Sequence, residues 1–144
     1  SPSELAAKEG VTLENNSNLA AKAASGSARF DAYVVCPASG TTIGKIAAGI
    51  SDNLATRSAL VAMKERRKLI IVPREAPYST PHLKAMFNLS EWGAVILPAS
   101  PGFYQSPRNI EDLIDFVVAR ILDQLDVDHT LGKRWTGEEV PSED

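Results

Sequence analysis

The chain has 144 residues, a hydrophobic fraction of 44% and a formal net charge of −3. That is one domain's worth of sequence with enough apolar content for a core, and without the basic surplus of a nucleic-acid binder. The single cysteine, Cys36, excludes an internal disulfide framework and suits a reducing cytoplasm. No apolar run reaches membrane-spanning length, and no secretory signal is visible.

The first 24 residues are polar and alanine-rich, and read as a connecting segment. Ser3 to Lys8 could make a helical turn ending at Gly10, and Asn15-Asn16-Ser17-Asn18 reads as loop. Ala24-Ser25-Gly26-Ser27 is a small-residue turn, an ordinary loop or a place where backbone and hydroxyls approach a ligand. Ala32 to Cys36 is the first strand, closed by Pro37, with Cys36 as a small buried hydrophobe. Ala38-Ser39-Gly40-Thr41-Thr42 then leads into a helix over about Thr42 to Ile50. Strand, hydroxyl- and glycine-rich turn, then helix start is the layout of a phosphate cradle, because free N–H groups and the positive helix end face the anion. An ordinary N-cap has the same residues. The spacing fits neither a Walker loop nor a Gly-x-Gly-x-x-Gly fingerprint.

Asn53 to Pro77 is the densest stretch. Leu54, Ala55, Ser58, Val61, Ala62 and Glu65 follow one helical face. Arg57 and Lys64 are seven apart and nearly eclipse, so a cation stands at each end of a mostly apolar strip. Arg66-Arg67-Lys68 falls where the helix should end. Leu69 to Val72 is an unbroken apolar run, typical of a strand buried on both faces. Pro73 stops it, and Arg74-Glu75 follow at its carboxyl end, where open α/β sheets bind ligands.

Thr80 as cap with Pro81 in the first turn starts the next helix. Its apolar side is Leu83, Met86, Phe87 and Leu89, and Gly93 ends it. His82 reads as a solvated or capping residue. Ala94 to Leu97 is the third strand. The loop from Pro98 to Pro107 carries Phe103, expected to pack on the core, and Tyr104, the better ligand candidate. Asn109 caps the last helix with Asp112 three residues on. Ile110, Leu113, Ile114, Val117, Val118, Ile121, Leu122 and Leu125 form its expected buried stripe. Arg120 lies on that stripe, where a guanidinium needs an anion or carboxylate, or snorkels. His129 shows no metal-ligand spacing, and Arg134-Trp135 is the aromatic feature of the tail. The sum is a doubly wound α/β fold with three β–α steps and no metal cluster.

The same residues carry a resemblance to the flavin prenyltransferases of the UbiX type. The matching pieces are Ala24-Ser25-Gly26-Ser27, Cys36-Pro37-Ala38-Ser39 with Thr42, Asn53-Leu54 with Arg57, and Met63-Lys64-Glu65-Arg66-Arg67. Val72-Pro73-Arg74-Glu75-Ala76-Pro77, His82-Leu83, Gly93 to Pro98, Pro101-Gly102-Phe103-Tyr104, Val118-Ala119-Arg120-Ile121-Leu122 and Arg134-Trp135 complete them. The resemblance covers about Ala24 to Trp135. It implies a Rossmann/flavodoxin-like three-layer sandwich of the flavin-containing cysteine decarboxylase type, spanning about 25–128, with 129–144 as a tail.

By this resemblance the enzyme joins a dimethylallyl group from dimethylallyl monophosphate to N5 and C6 of reduced FMN, without a metal. The prenylated FMN would serve a UbiD-type decarboxylase. Ser39, Gly40, Thr41, Thr42 and Arg74 would contact FMN. Arg57, Lys64, Glu75, Tyr104 and Arg120 would surround the allyl phosphate, with the cations stabilising the departing phosphate and Glu75 or Tyr104 handling protons. Ser25 and Ser27 would line the site, and Trp135 could offer a π face to an allylic cation. The family is dodecameric, with sites at subunit junctions. Its opening third, with the first strand and a Gly-Ala-Ser-Gly turn for FMN, has no counterpart between Ser1 and Ala24. A separate piece or a partner is therefore expected to supply it. Two other functions compete: an FMN-binding oxidoreductase or decarboxylase of the same fold, and a non-enzymatic flavin-binding subunit.

Overall fold

The structure, a computed structural model, describes residues 1–132. Contacts divide the chain into two compact units, Ser1–Pro98 and Ala99–Asp144. In the first unit, α1 (Pro2–Ala6) and a 3₁₀ turn (Lys22–Ala24) precede β1 (Ala32–Ala38), α2 (Gly40–Ala47) and α3 (Leu54–Lys64). Then come β2 (Lys68–Pro73), α4 (Thr80–Glu91) and β3 (Val95–Ile96). The second unit carries α5 (Ile110–Gln124).

The three strands form one parallel sheet in the order β1-β2-β3, with Tyr33 opposite Leu69 and Ile70 opposite Val95. Parallel neighbours need crossover connections, and α2 with α3, then α4, supply them. This is the parallel α/β arrangement expected from the sequence. Strand β2 lies in the middle, and Leu69, Ile70, Ile71 and Val72 are all fully buried. Their β-branched and apolar side chains leave nothing for solvent on either face. Leu69 and Ile71 join Tyr33, Ile43, Ile46, Ala59, Ala62, Met86 and Leu89 in the main core. Each fully buried Ile or Leu there contributes about 2 kcal/mol by burial.

Several elements differ from expectation in instructive ways. Strand β1 runs past Pro37 to Ala38, with an irregular register between Val35 and Ala38. Cys36 is exposed rather than buried, although partial desolvation still pushes its thiol up from the usual range. Helix α2 starts at Gly40, capped by Ser39, whose side chain accepts from the Thr42 N–H. In α3, Thr56 and Ala59 are buried while Glu65 is exposed. Thr56 can be buried because its hydroxyl donates to Asn53 as part of the helix cap. Ser79, not Thr80, caps α4. That helix buries Ala85, Met86 and Leu89, and leaves Leu83 and Phe87 exposed. Gly93 ends it with φ +101, and the Gly93 and Ala94 N–H groups close on Ser90 and Leu89.

The connecting segment is less idle than its sequence suggests. The Asn16 carbonyl accepts from Leu54 N at 2.7 Å, and its side-chain oxygen from Ala55 N at 2.9 Å. Two orphan donors at the start of α3 are thus satisfied from 38 and 39 residues away. In the second unit, Asn109 caps α5 as expected, accepting from Asp112 N at 2.9 Å. Asp112 accepts in turn from Arg108 N, rather than closing a box on Asn109. The α5 stripe is only half covered. No stripe residue is fully buried: Ala119, outside the stripe, is the one buried residue of the helix among those described, and Ile110 is 75% exposed. Phe103 is exposed at 68% instead of packing on a core.

Arg67 fastens the first unit. Its guanidinium donates to the Gly26 carbonyl at 2.8 Å, to the Ala28 carbonyl and to the Tyr33 hydroxyl at 3.1 Å. A planar five-donor group suits three acceptors spread over one corner, and an ammonium does not. Replacing Arg67 with Met should cost about 2 kcal/mol in urea unfolding, since the half-buried acceptors lose their donor. A loss below about 0.5 kcal/mol, the range of an ordinary surface substitution, would contradict this role.

Candidate functional site

The carboxyl ends of β1 and β2 bring two loops side by side. Ala38 pairs with Pro73, and Arg74 N donates to the Ala38 carbonyl at 3.2 Å. Ser39-Gly40-Thr41-Thr42 and Arg74-Glu75 therefore leave adjacent strands together. Gly40 N donates to Glu75 Oε2 at a long 3.4 Å. Ser39, Thr41 and Arg74 are exposed, and Ser39 Oγ also donates to Thr42 Oγ1 at 3.1 Å. Hydroxyls, a guanidinium and the positive end of α2 make a donor set that fits a phosphate monoester.

His82, read from sequence as solvated or capping, packs its ring over this turn. Its ring is half-buried, and its Nδ1 is buried without a hydrogen-bond partner among the described residues. A Cβ at residue 40 would collide with that ring. Gly40 is therefore needed for close approach.

A second group forms where α3 faces the small-residue turn. Arg57 Nε donates to the Ala24 carbonyl at 3.4 Å, and Ser25 Oγ lies 2.9 Å from Ser27 Oγ. Lys64 Nζ is 3.6 Å from Glu65 Oε1, and a Cβ at Gly26 would come within 3.2 Å of Lys64 Nζ. One turn thus meets both ends of the cation-bearing strip on α3. Arg57 and Lys64 remain exposed, so their charge is available to an anion.

The second unit holds Tyr104 and Arg120. Both line a cavity of about 630 Å³ with Phe116, Asp123 and His129. The Tyr104 ring meets Phe116 edge-on at 5.9 Å, while the residue itself is largely exposed. Arg120 is not a buried cation: its side chain is 55% exposed, and Nη1 donates to Asp123 Oδ2 at 2.9 Å. Trp135 lies outside the described residues.

The residues read from sequence thus fall into three local groups. Those missed were Asn16, Arg67, His82, Asp123 and His129. Asp123 had a signal, an opposite charge three residues after Arg120 on one helix. His82 over Gly40 and His129 on Asp123 had none, because both depend on how separate segments meet.

Comparison with known proteins follows the same residues. The model of the Flavoprotein family matches residues 5–122. The flavin prenyltransferase UbiX of Thermoplasma acidophilum is 56% identical over 118 residues, covering 82% of this chain. The chain spans 66% of that relative's length and 58% of its Pseudomonas aeruginosa counterpart, which is 51% identical. Among solved structures, AnUbiX (PadA1) in complex with FMN and dimethylallyl pyrophosphate superposes with a TM-score of 0.84 and 44% identity. That match covers 88% of this chain and 67% of the other. The dodecameric FMN-dependent UbiX-like decarboxylase of Escherichia coli O157:H7 gives 0.83 and 44%, over 86% and 67%. The neighbours share the α/β sandwich class expected from the sequence. Among the described residues, no helix is long and apolar enough to cross a membrane.

Gly40→Ala tests the packing of the cradle. Alanine in a first helical turn normally gains stability over glycine. Here thermal melting should fall, and the Gly40→Ala/His82→Ala double variant should recover the loss. A single variant that melts at or above the parent would contradict the contact.

Proposed function

Because the chain belongs to the Flavoprotein family, we propose that it is a flavin prenyltransferase, moving a dimethylallyl group from dimethylallyl monophosphate to reduced FMN. The observation that carries the reading is the 56% identity to a UbiX enzyme over 118 residues of this chain. The chemistry breaks the allylic C–O bond and consumes the donor's double bond as bonds form to N5 and C6 of the flavin; of the two protons that leave those positions, one adds to the central alkene carbon and the other departs with the phosphate. Nothing in this exchange needs a net oxidant or reductant.

The chain's own residues would divide the work as follows. Ser39, Gly40, Thr41, Thr42 and Arg74 would hold the phosphate of FMN at the start of α2. Glu75 would give up its long bond to Gly40 N and move protons. Arg57 and Lys64 would take the charge that builds on the departing phosphate, with Ser25 and Ser27 lining the same pocket. Tyr104 and Arg120, from this or a neighbouring protomer, would also meet the donor, and Trp135 would face the allyl group. Homo-oligomers, dodecameric as in the E. coli relative, would assemble in the cytoplasm and pass prenylated FMN to a UbiD-type decarboxylase.

A second reading, FMN-dependent decarboxylation, follows the description of the E. coli structure. It predicts bound FMN and indifference to the allyl donor. Turnover of the allyl donor by the parent protein separates the readings, and Glu75→Gln tests the role of that carboxylate and separates the enzyme from a non-enzymatic flavin carrier. Turnover of the allyl donor should fall about a hundredfold or more, the usual weight of a proton-transfer group, while FMN binding persists. Lys64→Met should instead raise the KM for dimethylallyl monophosphate, and kcat as well should suffer where the charge develops. Wild-type turnover in Glu75→Gln would overturn the assignment.

A further inference from the structure

Helix α5 ends in a turn that folds the chain back on itself. Asp126 adopts φ +56, and Val127 N donates to the Leu122 carbonyl at 3.0 Å. This left-handed stop returns His129 to the last turn of α5. There the imidazole, with only 7% of its side chain exposed, meets Asp123. Nε2 lies 2.6 Å from Asp123 Oδ1, and Leu131 N donates to Nδ1 at 3.1 Å. A nitrogen that accepts from a backbone N–H carries no proton. Nε2 therefore holds the ring proton and donates to the carboxylate. The other carboxylate oxygen, Oδ2, accepts from Arg120 Nη1.

The result is a relay of fixed positions: backbone, imidazole, carboxylate, guanidinium. It lies along the wall of the cavity that also shows Tyr104. An exposed arginine alone has many rotamers, and binding an anion must freeze them. An arginine held at one edge by an anchored carboxylate has already lost much of that freedom. Its remaining N–H donors keep a defined direction.

We propose that Asp123 and His129 are positioning residues that aim Arg120 at the phosphate of the allyl donor. The inference rests on the reading of Arg120 as a ligand for that phosphate. It adds two residues that act through Arg120. Asp123 sets the guanidinium, and His129 sets Asp123.

The test uses the FMN-loaded protein with His129→Ala, His129→Gln and Asp123→Asn. His129→Ala and Asp123→Asn should raise the KM for dimethylallyl monophosphate about tenfold, as expected when a binding group loses its orientation. FMN affinity should not change. His129→Gln, whose amide N–H reaches near the Nε2 position, should recover most of the loss. A wild-type KM in His129→Ala, or no recovery by His129→Gln, overturns the proposal. ¹⁵N NMR supplies a readout independent of turnover. The His129 ring should carry its proton on Nε2, and the Arg120 Nε–H should become more mobile in His129→Ala. If the parent protein ignores the allyl donor, the prenyltransferase reading falls, while the positioning of Arg120 still stands or falls on these spectra. A proton on Nδ1, or equal Arg120 mobility in both proteins, overturns it.

Discussion

The constraint behind the first unit is the burial of β2 on both faces. A strand with no solvent side cannot slip register without exposing its apolar residues, so its end is fixed in space. That end is Pro73, and Arg74-Glu75 begin where the buried run stops. Its pairing with Ala38 places the start of α2 beside them. The contact between Gly40 N and Glu75 is thus a consequence of strand register, not of a flexible loop finding a partner. A carboxylate at a helix start, bonded at 3.4 Å, is held loosely enough to yield to a stronger anion.

The α3 group follows a different logic. Helical spacing sets Arg57 and Lys64 on one side, two turns apart. What comes against them is the turn from Ala24 to Ser27, with its backbone and two hydroxyls, and that turn is fastened by Arg67. The cations on α3 and just past its end therefore split by role. Arg67 is committed to backbone carbonyls, whereas Arg57 and Lys64 stay exposed and able to meet an anion. Distinguishing the two kinds of cation matters, because a residue satisfied by the fold cannot be counted toward charge stabilisation.

Much of this was legible in the sequence, for identifiable reasons. The apolar run of β2, the Asn109 cap and the glycine stop at Gly93 each follow from local chemistry, and each is present. The strand, small-residue turn and helix around Ser39 to Thr42 were readable because they follow one another directly. Burial was harder to read. Leu83, Phe87, Ile110 and Ile114 have the periodicity of a covered face, yet all four are exposed within this chain. Periodicity reports which residues share a face, not what lies against it. Cys36 was misplaced for a related reason, since β1 continues through Pro37 and turns its thiol outward. Asn16 and His129 act across loops, where local pattern carries no information.

The central claim is that these positive side chains hold a phosphate as it leaves an allyl group beside a reduced flavin. The most direct measurement is the mass of the flavin recovered after anaerobic incubation of the protein with reduced FMN and dimethylallyl monophosphate, alongside the phosphate released. The account predicts a flavin heavier by one C5H8 unit, with one phosphate freed for each flavin changed. FMN recovered at its original mass from protein that binds both molecules would contradict it.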